Sequence, residues 1–298
     1  MKPLLLALAL LTATPAARAE GYHFLGHGRL VNNDVFWGRL DRWQTASVAS
    51  SYVWGRDRDG GLPATPGRLL EFRFEAKIIA PETLVRPAPG DRPYANALSF
   101  GLHSHFERRG AEVTLGADLA ITGDQTGLYR VQDAIHDLMD IAGPSERTRA
   151  AGIGNGVHPT LSFEAGRSIG MDGATLRPFV EARVGIETYL RAGADLTIGR
   201  VGQGGLLVRD PVTGQRYRAI DGTAPGYSFV IGADHALVHQ SAFLPAPNRP
   251  LDRTRIRAGL HWDGSRGRGF YGLTWLSPEF AGQDEGQIVG SLRLDFDF

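Results

Sequence analysis

The sequence predicts an all-β protein: a transmembrane antiparallel β-barrel of twelve strands, with one short outer-side helix near 127–142. Three observations predict it. Apolar and polar residues alternate along many short stretches, the polar members carry many full charges, and one segment alone reads as helix. Period two sends alternate side chains to opposite faces of a strand. A charged face opposite an apolar face suits a wet, ion-paired lumen inside a lipid-facing wall. A soluble sandwich also alternates. The charged faces favour the barrel, and so does the end of the chain, an aromatic residue (Phe298) closing an alternating strand.

Taken in order, residues 1–19 read as a secretory signal. Lys2 supplies the charge, Leu4–Leu11 the apolar stretch and Ala17-Arg18-Ala19 the cleavage site. The mature chain is expected to begin at Glu20, and 20–298 to form a single barrel domain. Alternating runs lie near 27–36, 44–55, 67–80, 94–107, 111–122 and 158–169, and again near 174–186, 188–199, 227–239, 253–264, 268–278 and 287–298. Most are near the roughly 9–11 residues that a tilted membrane strand requires. The clearest sets Leu70, Phe72, Phe74, Ala76 and Ile78 against Glu71, Arg73, Glu75 and Lys77. Another sets Ile256, Ala258, Leu260 and Trp262 against Arg255, Arg257, His261 and Asp263. Leu292, Leu294, Phe296 and Phe298 close the chain against Arg293, Asp295 and Asp297. Arg56–Gly67, Pro81–Pro93 and Ala246–Asp252 are loops by their Pro, Gly and Asp content. The segment Gly202–Gly226 reads as loop, with room for a short strand at Leu206–Arg209.

The helical segment is Gly127–Asp140. Leu128, Val131, Ile135 and Leu138 recur at three- and four-residue steps and form one face. Gln132 and His136 stand one turn apart and lie side by side. Two readings stay open: a loop helix packed over the barrel mouth, or a helix that carries a catalytic base.

Composition narrows the function. After Lys2 and Arg18 are removed, 30 basic residues stand against 32 acidic ones, so nothing points to nucleic acid. With no cysteine there is neither a disulfide framework nor thiol chemistry. Export without cysteine suits a bacterial envelope protein, and a soluble periplasmic protein would look the same by this measure. Beyond the signal no run of about 18 apolar residues exists, so a membrane location would require a barrel.

His136 is the best candidate for a general base, since imidazole titrates near neutral pH. Of the nine histidines it is the one within a helical pattern. His103, His105, His235, His239 and His261 fall in alternating strands and read as wall residues. Near the start, Asn32-Asn33-Asp34 and Asp41–Thr45 gather the oxygens a hard cation such as calcium takes. The same residues also suit strand ends and turns. Asn33 and Asp34 point to opposite faces unless the strand bends.

In order along the chain, these pieces resemble the LpxR family of outer-membrane lipid A 3′-O-deacylases. The resemblance is carried by Asn33-Asp34, the segment Asp41–Ser47, and Asp91-Arg92-Pro93-Tyr94-Ala95 after the Ala80-Pro81 step. It continues through Gly123 with Val131-Gln132 and His136, then Glu279-Phe280-Ala281-Gly282-Gln283 and the closing strand Gly290–Phe298. It implies a barrel of about twelve strands with a site between its wall and an outer-side helix. It implies a calcium-dependent esterase in the bacterial outer membrane, with lipid A of lipopolysaccharide as substrate and membrane lipids as neighbours. His136 would be the base that activates water. Asn33, Asp34, Thr45 and Gln132 would hold Ca2+ or orient the site, and Arg86 would help an oxyanion. Gln44 stands where the family pattern has Tyr, Ala46-Ser47 where it has a small residue and Gly, and Arg86 sits in a shorter loop. The stretch after His136, Ile141–Val157, lacks the family's Trp- and Gln-rich character. Two alternatives remain: a barrel without enzymatic activity, passive or structural, and an esterase of the same fold directed at phospholipid.

Overall fold

A computed structural model describes residues 21–34, 42–57, 61–140, 142–222, 224–244, 249–265 and 267–295. The signal segment 1–19, Asp41 and the closing residues Phe296–Phe298 lie outside the described residues. The strands are β1 (His23–Asn33), β2 (Trp43–Gly55), β3 (Leu69–Ala80), β4 (Ala95–Arg108) and β5 (Ala111–Thr122). Helices α1 (Leu128–Met139) and α2 (Glu146–Ala150) follow. Next come β6 (Gly156–Gly166), β7 (Ile169–Met171), β8 (Ala174–Val184), β9 (Glu187–Gly199), β10 (Leu206–Arg209) and β11 (Arg216–Ile220). The chain closes with β12 (Gly226–Ser241), β13 (Arg253–Gly264), β14 (Gly267–Leu276) and β15 (Gln287–Asp295).

Every wall pairing is antiparallel, and β1 pairs with β15 to close the sheet. β6 and β7 run one after the other along β8, with Gly166 opposite Phe179 and Ile169 opposite Leu176. They count as one wall strand, so the barrel has the twelve strands that the alternation predicts. Closure leaves no sheet edge, which a lipid-embedded backbone requires.

The faces are inverted relative to a soluble protein. Glu71, Arg73, Glu75 and Lys77 of β3 are buried in the lumen, while Phe72 and Phe74 face outward and Phe74 packs on Phe100 of β4. Leu161, Val184, Phe229 and Ile231 are exposed on the outer face, where lipid would cover them. Inside, charges neutralise one another. Arg257 bonds Asp195 at 2.5 Å and also pairs with Asp234, while Arg209 bridges Asp195 and Glu164, each at 3.0 Å. His103 and His105 belong to this lining, bonded to Asp118 at 3.0 Å and Glu71 at 2.7 Å.

The long connections 34–42, 81–94, 123–155, 242–252 and 277–286 leave one end of the barrel, designated the outer end. From the other end, the hairpin β10–β11 enters the lumen. Leu206–Arg209 is the short strand expected there; its partner Arg216–Ile220 was not expected. Leu206, Val208 and Tyr217 pack on Leu30, Ala49, Val53 and Phe270 of the wall. Tyr217 bonds Ser51 at 2.8 Å, and Gln215 donates to the carbonyls of Ala258 and Leu273. A Cβ on Gly28 would stand 2.1 Å from the Arg218 carbonyl oxygen, so a side chain there would drive the hairpin off the wall.

Helix α1 begins after Gly127 and ends at Asp140, both in left-handed conformation (φ 70° and 56°). That agrees closely with the expected Gly127–Asp140. A three-residue turn at Asp124–Thr126 joins it to β5. The helix lies against the outside of the wall: Tyr129, like Ile78 of β3, packs against the cluster of Ala80, Leu84 and Tyr94. Gln132 and His136 are buried on its wall side, and Ile135 and Leu138 are exposed.

Candidate functional site

Four strands align one row of residues near the outer end. Asn33 pairs with Ala46, Ala46 with Ile78 and Ile78 with Asn96. Asn32 faces the lumen, where it donates to Ser47 (2.9 Å) and accepts from Ser291 (2.6 Å). By alternation Asn33 faces outward, and so does the rest of the row. With strands about 4.8 Å apart, the row runs roughly 14 Å from β1 to β4, and α1 packs at its β3–β4 end.

β1 ends at Asn33, and Asp34 returns to the lumen side. Its Oδ2 accepts from the Arg42 amide at 3.0 Å and from Gln287 Nε2 at 3.4 Å. The two residues therefore leave the strand on opposite sides, as alternation requires without a bend. In β2 a bulge intervenes: Trp43 pairs with Ala80 and Ala46 with Ile78, so Gln44 and Thr45 together oppose Ile79. Trp43 takes a left-handed backbone there (φ 54°). Thr45 is buried, and its Oγ1 has no hydrogen-bond partner among the described residues.

Gln44 ties Asp34 to the opposite loop. Its amide donates to Gln287 Oε1 at 3.0 Å, and its Nε2 donates to both carboxylate oxygens of Glu279, at 3.0 and 3.2 Å. Glu279 also pairs with Arg92 and, at 3.5 Å, with Arg253. Burial alone would raise the Glu279 carboxyl; the Arg253 and Arg92 guanidiniums beside it hold it below its ordinary value. Gln283 Oε1 accepts from the Glu279 amide at 2.9 Å, so the 279–283 turn closes on itself.

On the helix side, the Tyr94 hydroxyl donates to Gln132 Oε1 at 2.6 Å. Burial pushes the Tyr94 phenol well above its ordinary value, against an opposing hydrogen bond with Asn96. Asn96 Oδ1 and Gln132 Nε2 are buried and have no partner among the described residues. His136 is 6% exposed, and its Nδ1 lies 3.3 Å from the Ala142 carbonyl oxygen. A carbonyl only accepts, so Nδ1 carries the hydrogen in the neutral ring and Nε2 the lone pair.

The structure thus gathers Gln132 and His136 with Tyr94 and Asn96, and separately Asp34 with Gln287, Gln44 and Glu279; Thr45 adjoins the second group and Asn33 heads the row beneath. The segment Asp91–Ala95 joins the halves, Arg92 reaching Glu279 and Tyr94 reaching Gln132. Arg86 is exposed, two residues beyond the buried Leu84, and stands in neither half. Sequence reasoning did not assign roles to Tyr94, Asn96, Arg92, Gln44, Glu279 or Gln287. The intact Asp91–Ala95 and Glu279–Gln283 motifs were the available signal for three of them.

Among the described residues no group of three or more His, Asp or Glu could hold a metal ion. Hard neutral oxygens with one carboxylate are a different donor set, the kind calcium accepts. Asp34 supplies that carboxylate, and the unpartnered Oγ1 of Thr45 is an oxygen of the right kind. Gln132 Oε1 already accepts from Tyr94.

A closed barrel with an apolar exterior, and a polar site between its wall and an outer helix, defines an outer-membrane barrel protein. The family model described as outer membrane protein LpxR matches residues 4–298, so the chain belongs to the LpxR family. Among solved structures, LpxR from Salmonella typhimurium is 19% identical, covering 91% of this chain and 100% of that one, with a TM-score of 0.69. The β domain of the Bordetella autotransporter BrkA is 13% identical, covering 92% of this chain and 100% of that one, with a TM-score of 0.37. A search of curated proteins found no match.

Proposed function

We propose that this protein is a calcium-dependent esterase that removes the 3′-linked acyloxyacyl chain from lipid A in the outer leaflet. One observation carries the reading. A buried histidine, its Nδ1 3.3 Å from the Ala142 carbonyl oxygen, and a buried glutamine tethered to Tyr94 stand one turn apart on a helix at the outside of the barrel wall.

His136 Nε2 takes a proton from water as the water oxygen attacks the ester carbonyl. The carbonyl oxygen gains the charge. When the tetrahedral intermediate collapses, the imidazolium returns the proton to the departing sugar oxygen, leaving an acid and an alcohol. Ala142 holds the ring orientation through Nδ1. Gln132 Nε2, buried and unpartnered, is a donor available to the substrate oxygen or the water. Asn33 and Gln132 on the helix side of the wall, with Asp34 and Thr45 behind them, would together hold calcium or orient the site. Bound there, calcium supplies Lewis-acid polarisation of a carbonyl. No covalent nucleophile is required, which suits a chain without cysteine.

The lumen counts against a passive channel. The β10–β11 hairpin packs on the wall, and Tyr217, Gln215 and Arg218 are buried inside it. An esterase for phospholipid would use the same base. Acyl release from lipopolysaccharide and from phosphatidylethanolamine vesicles, measured side by side, tests the reading. Release from lipopolysaccharide alone supports it, release from phospholipid alone moves the substrate, and release from neither by a folded barrel contradicts it.

A further inference from the structure

We propose that helix α1 is itself a membrane-contacting element, seated in the outer leaflet with its apolar stripe against lipid hydrocarbon. The proposal deepens the esterase reading, on which its meaning for substrate delivery rests; the seating itself rests on the fold.

At about 100° per residue, α1 has three faces. Tyr129, Gln132 and His136 turn to the wall. Arg130, Asp133 and Asp137 form a charged edge; Asp133 pairs with Arg149 at 3.1 Å, and Arg130 Nε donates to the Tyr129 hydroxyl. Leu128, Val131, Ile135 and Leu138 form the third face. In a helix on a soluble core that stripe turns inward. Here the polar pair turns inward, while Ile135 is 45% and Leu138 86% exposed.

The wall says what covers the stripe. α1 leaves β5 through one short turn, and β5 and β6 present Leu119, Val157 and Leu161 outward at 45%, 58% and 64% exposure. Val157 pairs with Ile121 at the outer end of both strands, so the lipid-facing surface extends to the end from which the helix departs. The apolar stripe continues that surface, and the charged edge on the helix's other side stays toward water. This is the pattern of a helix lying in the interface plane. Because the stripe borders the wall-facing side, an acyl chain on it would lie beside Gln132 and His136.

The chain has no cysteine, so single labels are unambiguous. Leu138→Cys, Ile135→Cys and, on the charged edge, Asp137→Cys are spin-labelled and reconstituted in phosphatidylethanolamine–phosphatidylglycerol vesicles. Heat-modifiable electrophoretic mobility confirms a folded barrel in each. Collision with oxygen, which partitions into hydrocarbon, is compared with collision with a water-soluble nickel chelate. The expected result is a higher oxygen-to-nickel ratio at positions 138 and 135 than at 137. Equal nickel access at 138 and 137 would overturn the proposal, and so would shielding of 138 from both agents, which would mean a protein cover. Neither readout depends on ester cleavage, so failure here is distinguishable from failure of the esterase reading.

Discussion

The Tyr94 hydroxyl donates a 2.6 Å hydrogen bond to the side-chain oxygen of Gln132, joining the root of β4 to the middle of α1. Both residues are buried. The bond fixes which side of the helix meets the wall, and so where His136, one turn on, is presented. Tyr94→Phe leaves the Gln132 amide buried with neither end bonded, a loss of about 1–3 kcal/mol. The expected outcome is a fall in kcat of roughly tenfold or more, since about 1.4 kcal/mol is a factor of ten. KM and barrel folding should change little. Steady-state ester cleavage with a gel-mobility control checks it.

His136→Ala removes the base. General-base catalysis contributes about 10²–10⁴-fold, so cleavage is expected to drop at least 100-fold. The barrel should fold as before, because the side chain sits outside the wall. Full activity in the folded variant would remove His136 from the mechanism.

Glu279 gives the outer rim a defined acid limit. Burial would raise its carboxyl, but Arg253 and Arg92 hold it below the ordinary value. A carboxyl depressed in the folded state stabilises above its unfolded value, about 4.3 for glutamate, and loses that contribution as pH falls through the folded value. Proteolytic resistance of the loops 81–94 and 277–286 is therefore expected to be flat from about pH 8 to 5, and to fall only below about pH 4. Glu279→Gln, which leaves two buried guanidiniums short of a carboxylate, should open both loops throughout that range.

The hairpin inside the lumen makes an electrical prediction. Reconstituted in planar bilayers, the protein should show no steady single-channel conductance. Stable ohmic steps would mean that the β10–β11 hairpin does not close the lumen in a membrane.

Period-two alternation carried the barrel because most wall strands set a polar, often charged face against an apolar one, as Glu71–Lys77 beside Leu70–Ile78 shows. The helix was equally legible, down to Gly127 and Asp140 at its ends. Periodicity could not say which side of α1 meets the wall. The apolar stripe usually does, and here Gln132 and His136 do, because the neighbouring solvent for the other side is lipid. The plug strand Arg216–Ile220 was missed for a related reason: its polar, Gly-flanked surroundings read as loop, and its partner surface is the lumen wall around Gly26 and Gly28. The link from Gln44 to Glu279 joins residues 235 apart in sequence, and no local pattern reports such a contact. The resemblance supplied the order of motifs. The physical roles of Arg92 and Tyr94 emerged only once their partners were in place.

The most direct measurement is mass spectrometry of lipid A incubated with the refolded protein in detergent, with calcium, with chelator, and with the His136→Ala variant. The expected result is loss of one acyloxyacyl unit with calcium, none with chelator or with the variant, and restoration when calcium is returned. Unchanged lipid A in the presence of calcium and a folded barrel would contradict the esterase reading. Cleavage that persists under chelation would leave the base and remove the metal.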